Sequence, residues 1–241
     1  MIGHLGFRYP PTKNNSPEID VVMPVCYAWK DASRRCFNPD WPTGQREMDA
    51  VYMATMLRGI SNIHWNIRTN QTIMPFVSSI VPFLGVAREG VSRMSKPLYR
   101  EFLRHAILRG ARGFYCYNVA PPFGTMPDYY EELADINIVY NEIFAPAYRE
   151  FLEGGTVLND IWPDPKDSNA IVWSGLGKGD QALLRVMTLG ATAKEVDLVP
   201  FSGGKAVRLV AFPEGASYRV SRSGVVEQLD GSRDGSGKGK E

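Results

Sequence analysis

The feature that most constrains the fold of this 241-residue chain is a change of hydrophobic pattern at Gly154-Gly155. Before the two glycines, short apolar runs alternate with stretches that carry an apolar residue every three or four positions, the period of a helix. After them the helical period is lost, and short apolar segments are separated by Gly, Pro, Asp and Ser. The pattern therefore predicts an α/β region over residues 1–155 and an all-β region over residues 156–229.

The first region is predicted to contain three strand–helix units. Its strand segments are nearly continuous in apolar residues, which is typical of parallel strands that are buried on both faces. The helices have turn or capping residues at their ends, such as Ser95 before Pro97 and Asp128 three residues before Glu131. The predicted order is strand 18–30, helix 43–59, strand 72–80, helix 95–110, strand 114–119, and a helix from 128 that is kinked at Pro146 and ends at Gly154.

Three parallel strands do not close a barrel, which needs eight. Residues 1–17 could add one strand at most, around HLGFRY at 4–9. Two architectures therefore fit the first region. One is an open three-layer α/β domain with a β appendage, and the other is the last three or four βα units of a barrel whose first half is absent from the chain.

The second region is predicted to be an antiparallel β-sandwich, because short strands recur at the spacing of such folds without any helical period. The final segment, residues 230–241, has no apolar residue and is expected to be disordered. The candidate strands are 156–161, 169–174, 181–189, 194–201, 206–212, 217–222 and 224–229.

Two segments, DVVMPVCYAW at 20–29 and REFLRHAILRGARGFYCYN at 100–118, resemble the closing βα units of glycoside-hydrolase-type TIM barrels. In many such proteins a compact β-sandwich follows directly. The resemblance extends over residues 18–229 in layout but is carried by these two segments. It implies a partial (β/α) TIM-type barrel followed by a small antiparallel β-sandwich. It also implies a glycoside hydrolase-like protein that acts on a polysaccharide or oligosaccharide, as the C-terminal portion of a longer enzyme.

Hydrolysis of a glycosidic bond needs two carboxyl groups, about 5–5.5 Å apart for retention and about 6.5–9.5 Å apart for inversion. Asp31, two residues beyond Trp29, is the acid best placed at the end of a predicted strand, and we predict a catalytic or substrate-contacting role for it. In the largest clan of TIM-barrel glycosidases a late strand ends in a nucleophilic glutamate, whereas the strands here end in Ser78-Ser79 and Asn118. The resemblance thus leaves three alternatives: the carboxylates lie outside the chain, the protein belongs to another clan, or it is not catalytic.

Further side chains at the predicted strand ends could bind a sugar. Aromatic faces can stack on the C–H surface of a sugar ring, and amides or hydroxyls can bond its hydroxyl groups. The predicted substrate-binding residues are Tyr27, Trp29, Trp41, Ser78, Tyr117 and Asn118. His105, on the second helix, is expected to pack against a neighbouring element.

Other functions have little support. The 27 Lys and Arg balance 26 Asp and Glu, so no nucleic-acid partner is predicted, and no apolar run reaches the roughly 20 residues of a membrane span. Neither a metal nor a cofactor is predicted, because no residue cluster has ligand spacing and no Gly-rich loop follows a strand. The chain begins without a signal peptide, which leaves localisation open: secreted or periplasmic if the N-terminus is truncated.

Two questions about partners remain open at this stage. The protein could be a non-catalytic carbohydrate-binding or assembly module whose second region binds the ligand, instead of an enzyme with its site at the strand ends. A second chain or an oligomer could also cover the open sheet.

Overall fold

Short parallel strands occupy the first region of the computed structural model, which describes residues 20–27, 45–79, 94–116, 126–143, 145–159 and 161–229. Strand β1 (Val21–Val22) pairs with β3 (Thr72–Ile73), and β2 (Val25–Tyr27), β4 (Phe76–Ser78) and β5 (Tyr115–Cys116) form a sheet in the order β2–β4–β5. All of these pairings are parallel. A proline has no N–H to donate, so the Met-Pro pairs at 23–24 and 74–75 divide each long predicted strand into two short ones.

Four helices are present among the described residues: α1 (Gln45–Asn66), α2 (Lys96–Ile107), α3 (Met126–Ile143) and α4 (Pro146–Leu152). The inward face predicted for α2 is confirmed, because Leu98, Phe102, Ala106 and Ile107 are buried. Helix α1 continues beyond Gly59, where it was expected to end, because Ile60 and Ile63 extend its buried face at 0% exposure. Pro146 starts a separate helix, since its missing N–H costs nothing in a first turn.

Ion pairs fix α2 beside α3. Lys96 Nζ lies 2.8 Å from Glu131 Oε2, Arg100 Nε donates to Asp135 Oδ1 at 2.7 Å, and Arg104 Nε donates to Glu142 Oε2 at 2.7 Å. The partners advance in the same direction along both helices, so α2 and α3 run parallel, as helices of successive βα units do.

The second region is antiparallel. Strands β6 (Thr156–Val157), β7 (Ile171–Lys178), β8 (Gln181–Thr188), β11 (Ala216–Ser221) and β12 (Val226–Gln228) form one sheet in the order β12–β11–β8–β7–β6. A hairpin of β9 (Lys194–Leu198) and β10 (Val207–Ala211) packs on it around a shared core. That core includes Leu184, Val186, Leu209, Tyr218 and Val220.

The predicted fold class, a partial (β/α) TIM-type barrel followed by a small antiparallel β-sandwich, is wrong. The described residues contain only four helices, most of their strands lie in antiparallel sheets, and the largest sheet has five antiparallel strands. Their parallel strands form open sheets of two and three strands, and no barrel is closed. Strands of two or three residues are too few and too short to curve round and meet each other.

Helix α2 packs against the five-stranded sheet through buried polar contacts. Arg185, on β8, binds Glu101, and His105 Nδ1 lies 2.9 Å from Ser174 Oγ on β7. Arg109 Nε donates to the same Ser174 Oγ at 2.7 Å, and its Nη1 donates to Ser61 Oγ on α1 at 2.7 Å. The apolar core of the first region also extends into the sheet, through Ala170, Val172, Met187 and Leu189.

Within the described residues, none of the helices has both the length and the apolar character that crossing a membrane requires.

Candidate functional site

A buried carboxylate lies at the carboxyl ends of two parallel strands. Glu132, on α3, is 2% exposed. Its Oε1 accepts hydrogen bonds from Ser78 Oγ at 2.9 Å, from Ser79 N at 2.7 Å and from Ser79 Oγ at 2.6 Å. Its Oε2 lies 3.8 Å from Cys116 Sγ. These donors hold the carboxylate in one orientation, and we call Ser78, Ser79, Cys116 and Glu132 the Glu132 cluster.

The topology brings this cluster together. Ser78 is the last residue of β4 and Cys116 is the last residue of β5, and the two strands are parallel neighbours. Helix α3, which follows β5, packs beside α2 and brings Glu132 over the end of β4. The carboxyl ends of parallel strands are the edge where α/β enzymes place their sites.

The thiol of Cys116 takes part as a donor. Burial, followed by the negative charge of Glu132 and the hydrogen bond to it, raises the pKa of Cys116 to about 12. The group is therefore a neutral thiol near pH 7. Because the thiolate and not the thiol is the nucleophile, the arrangement does not support cysteine-based covalent catalysis.

A second carboxylate, Asp49 near the start of α1, borders the cluster. Its Oδ1 accepts a hydrogen bond from Ser95 N at 3.2 Å, and the preceding residue, Met94, donates its N–H to Ser79 O at 3.0 Å. The neighbouring residues Met94 and Ser95 thus join Ser79 to Asp49 through their backbone N–H groups. Asp49 is therefore connected, through Ser95 and Met94, to Ser79, which donates to Glu132.

The structure places some of the residues predicted from the sequence. Ser78 lies in the cluster, bonded to Glu132. The backbone of Tyr27 ends β2 and is paired with Ser78, so the chain leaves β2 at the same edge. The other predicted residues, Asp31, Trp29, Trp41, Tyr117 and Asn118, lie outside the described residues.

Glu132 was not predicted, because it lies on a helix and not at the end of a strand. The sequence nevertheless carried a signal for it. Glu132 falls on the same helical stripe as Ile136, Val139 and Ile143, which are spaced by three or four residues and are all buried. An acid on an otherwise apolar stripe must be buried with partners, and hence is a candidate for a functional group. The sequence pattern predicted that Asp128 and the neighbouring Glu131 form a capping box at the start of the helix. In the structure α3 begins at Met126, before both residues, so the predicted helix start is wrong.

Among the described residues, no three His, Cys, Asp or Glu side chains are grouped so that they could hold a metal ion. The cluster instead offers one carboxylate that accepts hydrogen bonds, together with hydroxyl and thiol groups that donate them. Such a set can bind a neutral polar group or transfer a proton to and from it.

The comparisons with known proteins identify no relative. No protein-family model matches the chain, no curated protein matches it, and no solved structure matches it.

Proposed function

We propose that the chain is a glycoside hydrolase-like protein that acts on a polysaccharide or oligosaccharide at the carboxyl edge of β2, β4 and β5. The observation that carries the proposal is the Glu132 carboxylate, buried at that edge and oriented by Ser78 and Ser79. General acid–base catalysis requires such a carboxyl group in a fixed position.

A second carboxyl group completes the proposed chemistry. Asp49 borders the Glu132 cluster through Ser95, and Asp31 follows β2 by four residues in the sequence. In the proposed reaction the Glu132 carboxylate takes a proton from the attacking water, while one of these aspartates, protonated, gives its proton to the glycosidic oxygen as the bond to the leaving sugar breaks. Single Asp49→Asn and Asp31→Asn variants distinguish the two, since only the partner of Glu132 is needed for turnover.

The substrate class comes from the resemblance of residues 20–29 and 100–118 to glycoside-hydrolase-type proteins. The donor and acceptor groups of the cluster are compatible with it, because sugar hydroxyls need both. The neutral Cys116 thiol gives no support to cysteine-based covalent catalysis at this site.

A second candidate function is carbohydrate binding without turnover. It is favoured by an exposed surface between α1 and the second region, where Ile161 is 78% and Trp162 is 36% exposed. The guanidinium of Arg58 lies 5.2 Å from the centre of the Trp162 ring. An exposed indole of this kind can stack on a sugar ring, and the ligand would then lie away from Glu132.

The test is to incubate the full chain with a panel of aryl glycosides and polysaccharides, and to measure turnover and binding separately. We expect Glu132→Gln to lower kcat/KM by at least about 100-fold, because proton transfer typically contributes that much. The control is Glu131→Gln, which removes a half-exposed carboxylate on the same helix turn and should leave turnover within about twofold. Circular dichroism and the melting temperature show whether each variant is folded.

Each outcome decides between the alternatives. Binding without turnover, abolished by Trp162→Ala and kept by Ser79→Ala, supports the non-catalytic module and rejects the catalytic site. Turnover that survives Glu132→Gln in a folded protein removes Glu132 from the mechanism. If the wild-type chain neither binds nor cleaves any carbohydrate in the panel, the proposed function is wrong.

A further inference from the structure

Tyr99 has a buried hydroxyl group that no other group of the described residues satisfies. The side chain, on α2, is 0% exposed, and its hydroxyl oxygen has no hydrogen-bond partner. A buried polar group left in this state costs about 1–3 kcal/mol. A buried hydroxyl that forms no hydrogen bond within the protein is a candidate for a group that bonds a ligand.

The register of the two helices locates Tyr99 beside Glu132. The ion pairs Lys96–Glu131 and Arg100–Asp135 join successive turns of α2 and α3. Along the sequence, Tyr99 lies between the two basic residues of these pairs, and Glu132 lies between the two acidic ones. The two side chains therefore belong to the same level of the helix pair, and Glu132 is the charge that acts most strongly on the phenol.

The phenol can act only as a donor. Burial, and then electrostatic interactions with Glu132, Cys116 and Asp135, raise the pKa of Tyr99 well above its ordinary value. The O–H is therefore kept at every physiological pH. It is a neutral donor next to a carboxylate that accepts.

We infer that Tyr99 donates a hydrogen bond to a hydroxyl group of the carbohydrate that binds at the Glu132 cluster, while Glu132 accepts a hydrogen bond from that same hydroxyl. The inference rests on the proposed function and adds to it a specific ligand contact. A hydroxyl group both donates and accepts, so one acceptor and one donor at the same level of the helix pair match it. An anionic ligand would be repelled by the charge of Glu132. A cation has no acceptor for the Tyr99 hydroxyl proton.

The experiment compares the wild-type full chain with Tyr99→Phe. The probes are cellohexaose, xylohexaose, mannohexaose and maltohexaose, and the two readouts are the melting temperature without sugar and the dissociation constant by calorimetry. The matched control is Tyr218→Phe, on another buried tyrosine, which removes a hydroxyl that has a partner, since it donates to Val210 O at 2.7 Å.

Tyr99→Phe is expected to melt at the wild-type temperature or above it, because no protein hydrogen bond is lost, and to bind the sugar about 3- to 10-fold more weakly. Tyr218→Phe should show the opposite pattern, a lower melting temperature with unchanged affinity. A lower melting temperature for Tyr99→Phe would mean that a fixed water molecule already satisfies the hydroxyl, and this result overturns the inference.

The remaining outcomes separate this inference from the proposed function. If the wild-type chain binds one of the sugars and Tyr99→Phe binds it equally well, the role of Tyr99 is refuted and the proposed function stands. If the wild-type chain binds none of the four sugars and none of the panel above, both are refuted together.

Discussion

Arg185 binds both carboxylate oxygens of Glu101 across the junction between the two regions. Its Nε donates to Oε2 at 2.8 Å and its Nη2 donates to Oε1 at 2.7 Å. The two side chains are only 5% and 2% exposed. Arg104 donates to the same Glu101, and Arg185 also donates to Ser217 Oγ at 2.9 Å. A bidentate pair with further donors satisfies the lone pairs that burial would otherwise leave unpaired.

Removing the arginine should destabilise the protein strongly. We expect Arg185→Met to lower the free energy of unfolding by about 3 kcal/mol, at the lower end of the range for broken buried pairs, because Arg104 still neutralises Glu101. Urea unfolding monitored by circular dichroism measures it. Arg208→Met, at a pair with Asp197 that is 69% and 58% exposed, is the control and should change little. Equal effects of the two substitutions would contradict the assigned role of the buried pair.

Gly215 tests the same pair from the backbone side. Its φ is +71°, and a Cβ atom there would lie 2.3 Å from Glu101 Oε2 and 2.9 Å from Arg185 Nε. Gly215→Ala should therefore cost about 3 kcal/mol, because the left-handed conformation costs an alanine about 1–2 kcal/mol and the pair must also move.

The control for Gly215 is Gly179→Ala. Gly179 also has a positive φ, +59°, but a Cβ atom there would meet nothing within 4 Å. Gly179→Ala should therefore lower the free energy of unfolding by only the backbone cost of about 1–2 kcal/mol. The quantity that matters is the difference between the two variants in urea unfolding, and a difference of zero would mean that the Glu101–Arg185 pair adjusts without loss.

Stability should fall as the pH is lowered through the titration of His105. Burial, followed by the positive charges of Arg109, Arg185 and Arg104, lowers the pKa of His105 well below its ordinary value of about 6.5. Below that pH the unfolded chain gains a proton on this residue that the folded chain does not take up. The free energy of unfolding should therefore decrease by up to about 1.4 kcal/mol per pH unit below about pH 6.5.

Urea midpoints at pH 7.5, 6.5 and 5.5 measure this slope. His105→Gln can keep a hydrogen bond to Ser174 and has no titrating group, so it should make the slope shallower over this range. A wild-type slope in His105→Gln would assign the pH dependence to other groups.

Cys116 should resist alkylation. With a pKa of about 12, its thiolate fraction at pH 8 is on the order of 1000-fold below that of a free cysteine, and iodoacetamide should modify it correspondingly slowly. Burial is the largest cause of this raised pKa and the charge of Glu132 is the next, so Glu132→Gln removes part of the shift and should accelerate the reaction. Peptide mass spectrometry follows the site, with Asp135→Asn as the control, because Asp135 is bonded to Arg100. Fast modification of the wild-type protein would contradict the buried thiol–carboxylate contact.

Periodicity in the sequence predicted the elements better than their assembly. The buried face of α2 and the strands of the second region follow from spacing alone. The division of the first-region strands follows from Met23-Pro24 and Met74-Pro75, which were present in the sequence but were given no structural weight. Barrel closure is a property of strand number, length and tilt taken together, and no single segment specifies it.

The sequence predicted a site at the strand ends but did not single out Glu132, which the structure places beside Ser78. Ser78 came from the rule that strand ends form sites, whereas Glu132 reaches that edge from a helix. Which helix crosses which strand end is decided by long-range packing, here by the packing of α3 beside α2. Tyr99 could not be singled out either, because an unsatisfied hydroxyl is visible only when all of its neighbours are placed.

The charged contacts have a consequence for how this chain can be divided or recombined. Glu142 on α3 binds Arg104, Arg104 binds Glu101, and Glu101 binds Arg185 on β8, so one continuous series of ion pairs joins α3, which carries Glu132, to the five-stranded sheet. A cut at Gly154-Gly155 would separate a buried arginine from its carboxylate. The two regions therefore cannot be separated at the point where the sequence pattern changes without breaking this pair. A second region placed on another scaffold would need a carboxylate in the place of Glu101.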